Sequence, residues 1–295
     1  MRLLQGSSCS SASDIAEFSE WLLTIGDGKF GQPVNGESEI QIPDEILIKN
    51  SETGFEDLVN FTYPDLLRNM SNSEYFRERS ILAPTIELVG KVNDYMMYRV
   101  SAEEREYLSS DSIYKEDDNV ESELDAFPPE VLNAMNCSGL PPHKLSLKIG
   151  VPVILMRNID QSNGLCNGTR LTVKRFGDHV IQCTVLTGTK AGSAVLIPRM
   201  TMNTNNTNLP FQFQRRQLPI CVCFGMTINK AQGQTLGCVG LYLPRPLFSH
   251  GQLYVALSRV KSKQGLRILI ENHDDLPSNT TINAVYEEVF DNITP

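Results

Sequence analysis

Apolar residues in this chain follow two rhythms, and each predicts a different element. Where they recur every three or four positions they predict helices. Over 14–26, Ile15, Phe18, Leu22 and Ile25 share one face, Asp14 and Glu17 form a capping box, and Gly26 ends the run. A second helical pattern covers Phe55 to Met70, broken by Pro64. A third follows Thr85, a residue suited to a helix N-cap, through Ile86, Val89, Val92, Met96 and Val100. Where apolar residues cluster in short runs they predict strands. Such runs occur at Ile40–Ile42, Ile46–Ile48 and Ser80–Ala83.

The middle of the chain is a series of short runs split by turn residues. Val151–Met156 is followed by Asn167-Gly168, Arg170–Arg175, Gly177-Asp178, His179–Leu186, Gly188 to Gly192, and Ala194–Pro198. Asn-Gly between apolar runs is the strongest local hairpin signal, and this spacing predicts a small β-barrel. Residues 201–210 read as a polar loop. After them the rhythm changes. A strand at Ile220–Phe224, a strand at Val239–Leu243, a helix at Ser249–Arg259 and a strand at Leu266–Ile270 alternate as in a parallel sheet with helices on its faces. The predicted architecture is one α/β domain interrupted by an inserted barrel.

With 295 residues and 41% apolar side chains, the chain has enough material for a substantial core. There is no run of 18 apolar residues, no apolar signal-peptide core near the N-terminus and no internal repeat. The seven cysteines lack CxxC spacing, and Cys221 and Cys223 alternate along an apolar run, so reduced thiols and an intracellular setting are expected. Sequons such as Asn167-Gly-Thr are then expected to stay unglycosylated.

The net charge of −9 conceals an asymmetry. Residues 1–142 carry 27 Asp+Glu and 10 Lys+Arg, whereas residues 143–270 carry 2 Asp+Glu and 16 Lys+Arg. The basic half suits a polyanion. The competing reading is a basic face that packs on the acidic half. Residues 101–130, with 11 acids against Arg105 and Lys115, are expected to form a long exposed connection.

Chemistry is concentrated in two segments. In Phe224-Gly-Met-Thr-Ile-Asn-Lys-Ala-Gln-Gly-Gln-Thr-Leu236 an apolar run ends in small polar residues, one lysine and glycines. A strand–loop–helix of this composition can present backbone N–H groups, Thr227, Asn229 and Lys230 to a phosphate; it can equally be an ordinary turn. In Ser249-His-Gly-Gln-Leu-Tyr-Val-Ala-Leu-Ser-Arg-Val260 the apolar stripe is Leu253, Ala256, Leu257 and Val260. Arg259 then either closes the helix on its last carbonyls or stands ready to stabilise a transferring phosphoryl group.

ILAPT (81–85), GLPPHKLSLKIGVPVILMRNIDQSNGLCNGTRL (139–171), TINKAQGQTL (227–236) and GQLYVALSRV (251–260), in that order, resemble the petite integration frequency (PIF) family of ATP-dependent DNA helicases, in its plant and Helitron-transposon branch. The resemblance covers nearly the whole chain. It implies a two-RecA-domain motor moving 5′ to 3′ on single-stranded DNA, with ATP between the domains and roles in DNA repair, recombination and telomere maintenance. It divides the chain into the tail of the first RecA-like domain (1–78), the first part of the second RecA-like domain with the acidic connection (79–142), an inserted Src-homology-like β-barrel (143–210), the second part of the second RecA-like domain (211–272) and a C-terminal tail (273–295). The implied motif four is 80–100, motif five 227–236 and motif six 251–260.

By the same resemblance Arg259 is the arginine finger, and Gln232, Gly233, Gln252 and Tyr254 belong to the nucleotide-coupling segments. Thr85, Asn93, Thr227, Asn229 and Lys230 face DNA. Ala231 stands where the family usually has Ser and Ile86 where it usually has Asn, and each removes a polar group. No GxxxxGK[ST] and no Walker B acid pair occur, so the chain is expected to begin after the third motif. The complete enzyme would use ATP and Mg²⁺ and would include a P-loop RecA-like domain as partner. No protein ligand set for a metal is expected here, and no membrane association. The location implied is the nucleus, with the mitochondrion as alternative. Three readings follow: part of a helicase, a module that binds single-stranded DNA and hydrolyses nothing, or a transposon-derived remnant.

Overall fold

The computed structural model describes residues 12–30, 37–114, 127–135, 137, 139–203, 212–247, 249–271 and 277–286. The chain divides into two compact units, one formed by 1–69, 78–96 and 224–295, the other by 70–77 and 97–223.

The first unit is built on a five-stranded, all-parallel sheet. Its order is Gly225–Thr227, Arg79–Ala83, Cys238–Leu243, Leu266–Ile270 and Leu47–Ile48. The central strands are mostly apolar, with the buried apolar side chains falling within 81–83, 239–243 and 268–270, because helices cover them. Helix Gly54–Thr62 lies so close that a Cβ on Gly240 would meet Thr62 Oγ1 at 2.4 Å. It ends before Pro64, and Leu66–Asn69 forms a separate turn of helix, as the proline predicts. Helix Ile86–Arg99 buries Leu88, Val92, Asn93 and Met96 and leaves Ile86 65% exposed, so Ile86 drops out of the expected apolar stripe. Helix Ala12–Gly26 buries Phe18, Leu22 and Ile25 as predicted. It stops at Gly26, with the next glycine, Gly28, at φ +69°.

Residues 1–78, expected as the end of another domain, supply this sheet with its edge strand Leu47–Ile48 and the helix Gly54–Thr62. The expected C-terminal tail also holds structure: Thr280–Ala284 pairs antiparallel with Glu37–Gln41. The apolar run at 219–224, read as one strand, is divided. Ile220–Val222 pairs antiparallel with Pro152–Leu155 in the second unit, and the chain re-enters the first unit at Gly225–Thr227.

The second unit holds antiparallel sheets. One has the order Ala194–Pro198, Val180–Val185, Arg170–Arg175, Pro152–Leu155, Ile220–Val222. The second joins Met200–Asn203, Gln212–Gln217 and Ser110–Tyr114, and the third pairs Glu104–Leu108 with Lys144–Lys148. Every predicted hairpin strand forms; among the described residues no hydrogen-bonded ladder joins the two edges of the five-stranded sheet, so the pairing does not by itself establish the expected small barrel. Part of the acidic stretch, expected as exposed connection, is strand and helix: Glu104–Leu108, Ser110–Tyr114 and Pro129–Ala134. Its charge is matched across the ladder, with Lys144–Glu106 at 2.6 Å and Lys148–Glu104 at 3.3 Å. Residues 115–126, and 204–210 of the expected polar loop, lie outside the described residues.

Behind the three-stranded sheet, Arg215 is 1% exposed and bidentate to Asp111, at 2.9 and 2.7 Å. It also donates to the carbonyls of Pro141 and Leu132. One guanidinium thus binds a strand, a helix and a loop together.

Candidate functional site

Ten residues singled out from sequence all fall in the first unit, and the sheet sorts most of them into two groups. Gly225–Thr227 and Arg79–Ala83 are parallel neighbours with Thr227 opposite Ala83, so Thr85 and the residues after Thr227 leave the sheet together at its carboxyl end. The open end of a parallel sheet is where such folds place ligands. Ile228 N–H donates to the Ala83 carbonyl at 3.1 Å and anchors the loop there. A 3-10 turn follows at Asn229–Ala231, where a short helix was expected. Asn229 and Lys230 are exposed and Thr227 is half-buried. The Thr227 hydroxyl accepts from Lys230 N–H at 3.4 Å, and the Thr85 hydroxyl accepts from Leu88 N–H at 3.4 Å, so both cap the turns they precede.

Asn93 has a different place. It is 9% exposed, its Oδ1 accepts from Gly225 N–H at 2.9 Å, and its Nδ2 donates to Gly225 O at 3.4 Å. The side chain clamps the backbone that leads into the loop rather than projecting from the surface. Ala231 is fully buried, so the hydroxyl missing from that position would have pointed inward. Ile86, by contrast, is an exposed apolar side chain beside Thr85.

From the carboxyl end the loop crosses to the amino end of Cys238–Leu243. Gln232 and Gly233 lie on the crossing, exposed, and Gly233 takes φ +83° with open space around it. Leu236 then bridges Val260, and Leu236 N–H donates to Arg259 O at 2.8 Å. The motif helix itself is Gln252–Leu257, shorter than the Ser249–Arg259 expected. Arg259 follows it, half-buried. Its Nε donates to Val255 O at 2.8 Å, Nη2 to Ser258 Oγ at 2.7 Å and Nη1 to Gln234 O at 3.2 Å. The arginine closes its own helix and holds the end of the neighbouring loop.

Gln252 is 3% exposed, and its Oε1, like that of Gln234, is buried without a hydrogen-bond partner. Tyr254 packs on helix Ala12–Gly26, where a Cβ on Gly26 would come within 2.9 Å of its ring. The role of Gln234 escaped sequence reasoning because a backbone carbonyl has no residue signature. Asn93 was legible as a polar residue on a helix but not as a clamp, since its partner is 132 positions away. Among the described residues no three His, Cys, Asp or Glu side chains converge as metal ligands. No described helix is long and apolar enough to cross a membrane.

Five of the sixteen Lys+Arg in residues 143–270 are paired within the molecule. Lys144, Lys148, Arg215, Lys261 and Lys263 pair with Glu106, Glu104, Asp111, Glu78 and Glu45, all acids from the first 142 residues. The reading in which the basic face packs on the acidic half therefore holds for these five.

Residues 130–176 match the model of the DNA helicase Pif1 2B domain. The ATP-dependent DNA helicase PIF1 of Homo sapiens is 38% identical over 144 residues, covering 48% of this chain and 22% of the relative. The ATP-dependent DNA helicase PIF6 of Trypanosoma brucei brucei is 31% identical over 149 residues, covering 50% and 19%. The matches thus span about a fifth of these relatives' length. The crystal structure of Pif1 helicase from Candida albicans superposes with a TM-score of 0.57 at 21% identity, over 94% of this chain and 57% of that one, which relates the folds. The family model and the relatives point the same way: parts of this chain are similar to Pif1 DNA helicases.

Proposed function

We propose that this chain is the C-terminal part of an ATP-dependent 5′-to-3′ DNA helicase of the plant and Helitron-like branch. Thr85, Thr227, Asn229 and Lys230 contact the backbone of single-stranded DNA at the carboxyl end of the sheet. Arg259 serves as the arginine finger, and the loop through Gln232 and Gly233 links the two. The observation that carries the reading is the hydrogen bond from Arg259 Nη1 to Gln234 O, which joins the arginine to the loop that begins at the DNA-facing group.

The 295 residues contain no GxxxxGK[ST], so the phosphate cradle for ATP belongs to a P-loop domain outside this sequence. The described residues offer Mg²⁺ no cluster of ligands, and the ion is assigned to the nucleotide and that cradle. The same missing motif favours a second reading, a fragment that binds single-stranded DNA without hydrolysing ATP. A nuclear location and work in DNA repair, recombination or telomere maintenance belong to the first reading.

The test is fluorescence anisotropy with a labelled oligothymidine. Lys230→Glu weakens binding about tenfold, as expected for a phosphate-contacting lysine, while Arg259→Ala leaves it unchanged. Equal losses in both variants overturn the division of roles. The mass of the endogenous protein then separates the two readings: a product that includes a P-loop is the helicase, and one that starts at Met1 is the fragment.

A further inference from the structure

One residue of the loop after Thr227 touches both Lys230 and Arg259, and the sequence did not single it out. Gln234 accepts from Arg259 Nη1 through its backbone carbonyl at 3.2 Å. Its backbone N–H donates to Ala231 O at 3.0 Å, and its side-chain Nε2 donates to Lys230 O over a long 3.5 Å. Lys230 is the exposed cation of the group assigned to DNA. Gln234 therefore holds the backbone of that lysine on one side and the guanidinium of the arginine on the other.

The bonds of Arg259 to Val255 O and Ser258 Oγ lie within its own helix end. Of its three hydrogen bonds described above, the one to Gln234 O alone crosses to another segment, so the position of the guanidinium follows that carbonyl. The loop that carries the carbonyl has room to shift. It is fastened to neighbouring segments by Ile228 N–H on Ala83 O at 3.1 Å and by Leu236 N–H on Arg259 O at 2.8 Å. Between these points Gly233 holds φ +83°, and nothing lies within 4 Å of where a Cβ would stand. The Gln234 Oε1 is buried and has no hydrogen-bond partner among the described residues. A buried acceptor without a donor is costly, which favours a loop shift that supplies one.

We infer that Gln234 is a positioning residue for Arg259, passing a displacement of the Lys230 backbone on to the guanidinium when a phosphate of single-stranded DNA is bound; this rests on the roles proposed above for Lys230 and Arg259. The two bonds act in series. When the Lys230 carbonyl moves, the Gln234 amide follows it, and the Gln234 carbonyl carries Nη1 along. What is transmitted is position rather than charge. A side chain of similar volume without the N–H donor therefore breaks the link and leaves the Gln234 N–H bond to Ala231 O in place.

The experiment follows the Arg259 Nε–Hε signal by nuclear magnetic resonance in the 295-residue chain, labelled with heavy nitrogen in its arginines only, while oligothymidine is added. Arg259→Lys assigns the signal. In the parent chain bound oligothymidine shifts it. In Gln234→Met, and in Gln234→Leu with a different shape, the shift is smaller by about threefold or more while DNA affinity stays within about twofold. Gln264→Met, in the exposed turn Lys263–Gly265, keeps the full shift. An Arg259 signal unmoved by bound DNA, or moved as far in the Gln234 variants as in the parent, overturns the inference and leaves the DNA reading standing. A loss of affinity in Gln234→Met as large as that in Lys230→Glu makes Gln234 part of the DNA contact and overturns it as well. No binding of oligothymidine by the parent chain overturns the DNA reading itself, and the role of Gln234 with it.

Discussion

Asn93 offers the sharpest separation between a side chain that meets nucleic acid and one that builds the site. Its amide makes two bonds to one buried glycine, 2.9 Å from Gly225 N–H and 3.4 Å to Gly225 O. Asn93→Ala removes both. A buried backbone group left without its partner costs about 1–3 kcal/mol, and the longer bond contributes the smaller share. The expected loss is therefore about 2–3 kcal/mol from the unit that contains the parallel sheet. Urea unfolding followed by Trp21 fluorescence measures it, because that tryptophan belongs to the same unit. With a slope of roughly 2 kcal/mol per molar urea, the midpoint falls by about 1 M or slightly more. Asp94→Ala, at an exposed neighbouring position, stays within about 0.5 kcal/mol. A midpoint unchanged in Asn93→Ala, together with a large loss of DNA affinity, would overturn the clamp and return Asn93 to the nucleic acid.

Two further outcomes are expected. Arg215→Ala leaves the Asp111 carboxylate buried without its partner and costs about 3–5 kcal/mol in thermal or urea unfolding followed by circular dichroism, whereas replacing both by apolar residues of similar volume recovers most of it. Cys183 is fully buried, and burial pushes its thiol up to about 12 from an ordinary value of 9.0. Below pH 9 both folded and unfolded thiols are protonated and stability is intact. As pH rises towards 12 the unfolded thiol ionises first, and stability is lost at up to about 1.4 kcal/mol per pH unit. Cys183→Val removes that part of the pH dependence, as read from urea midpoints at pH 8.5 and 10.5.

How far the sequence carried depended on whether a feature is local. The break at Pro64 and the hairpin strands from Pro152 to Pro198 were legible because a proline and Asn-Gly turns act within a few positions, and helix Ala12–Gly26 was legible from the spacing of its apolar residues, although it begins two residues before the capping box read at Asp14 and Glu17. The strand pairing Glu104–Leu108 with Lys144–Lys148 was hidden because its charges only make sense opposite each other, 36 or more residues apart. The run at 219–224 misled for a related reason: a continuous apolar segment says that it is buried, not which sheets bury it. In the candidate site, Thr227, Asn229 and Lys230 were readable as small polar residues and a lysine at the end of a strand. Arg259 was readable as a residue after a helix. That its guanidinium reaches the Gln234 carbonyl was not, because the bond depends on two parallel strands bringing separate loops together.

The distribution of charge leads to a final expectation about DNA binding. For single strands the logarithm of affinity falls with the logarithm of salt by about 0.7 for each phosphate neutralised. If all 16 Lys+Arg of residues 143–270 met phosphate, the slope would be about −11. Five of them are held in ion pairs with acids from the first 142 residues, which limits it to about −8. The carboxyl end of the parallel sheet presents far fewer, namely Lys230 and the exposed Arg245, which follows the end of strand Cys238–Leu243 by two residues, with Lys49, exposed just past strand Leu47–Ile48, adding one cation from outside residues 143–270. Binding confined to that end gives a slope of about −1 to −2. Anisotropy titrations from 50 to 300 mM salt measure it. A slope beyond about −5 would show that exposed cations of the second unit, such as Arg175, Lys190 and Arg216, also hold the strand, and the loop after Thr227 would then be one contact among many.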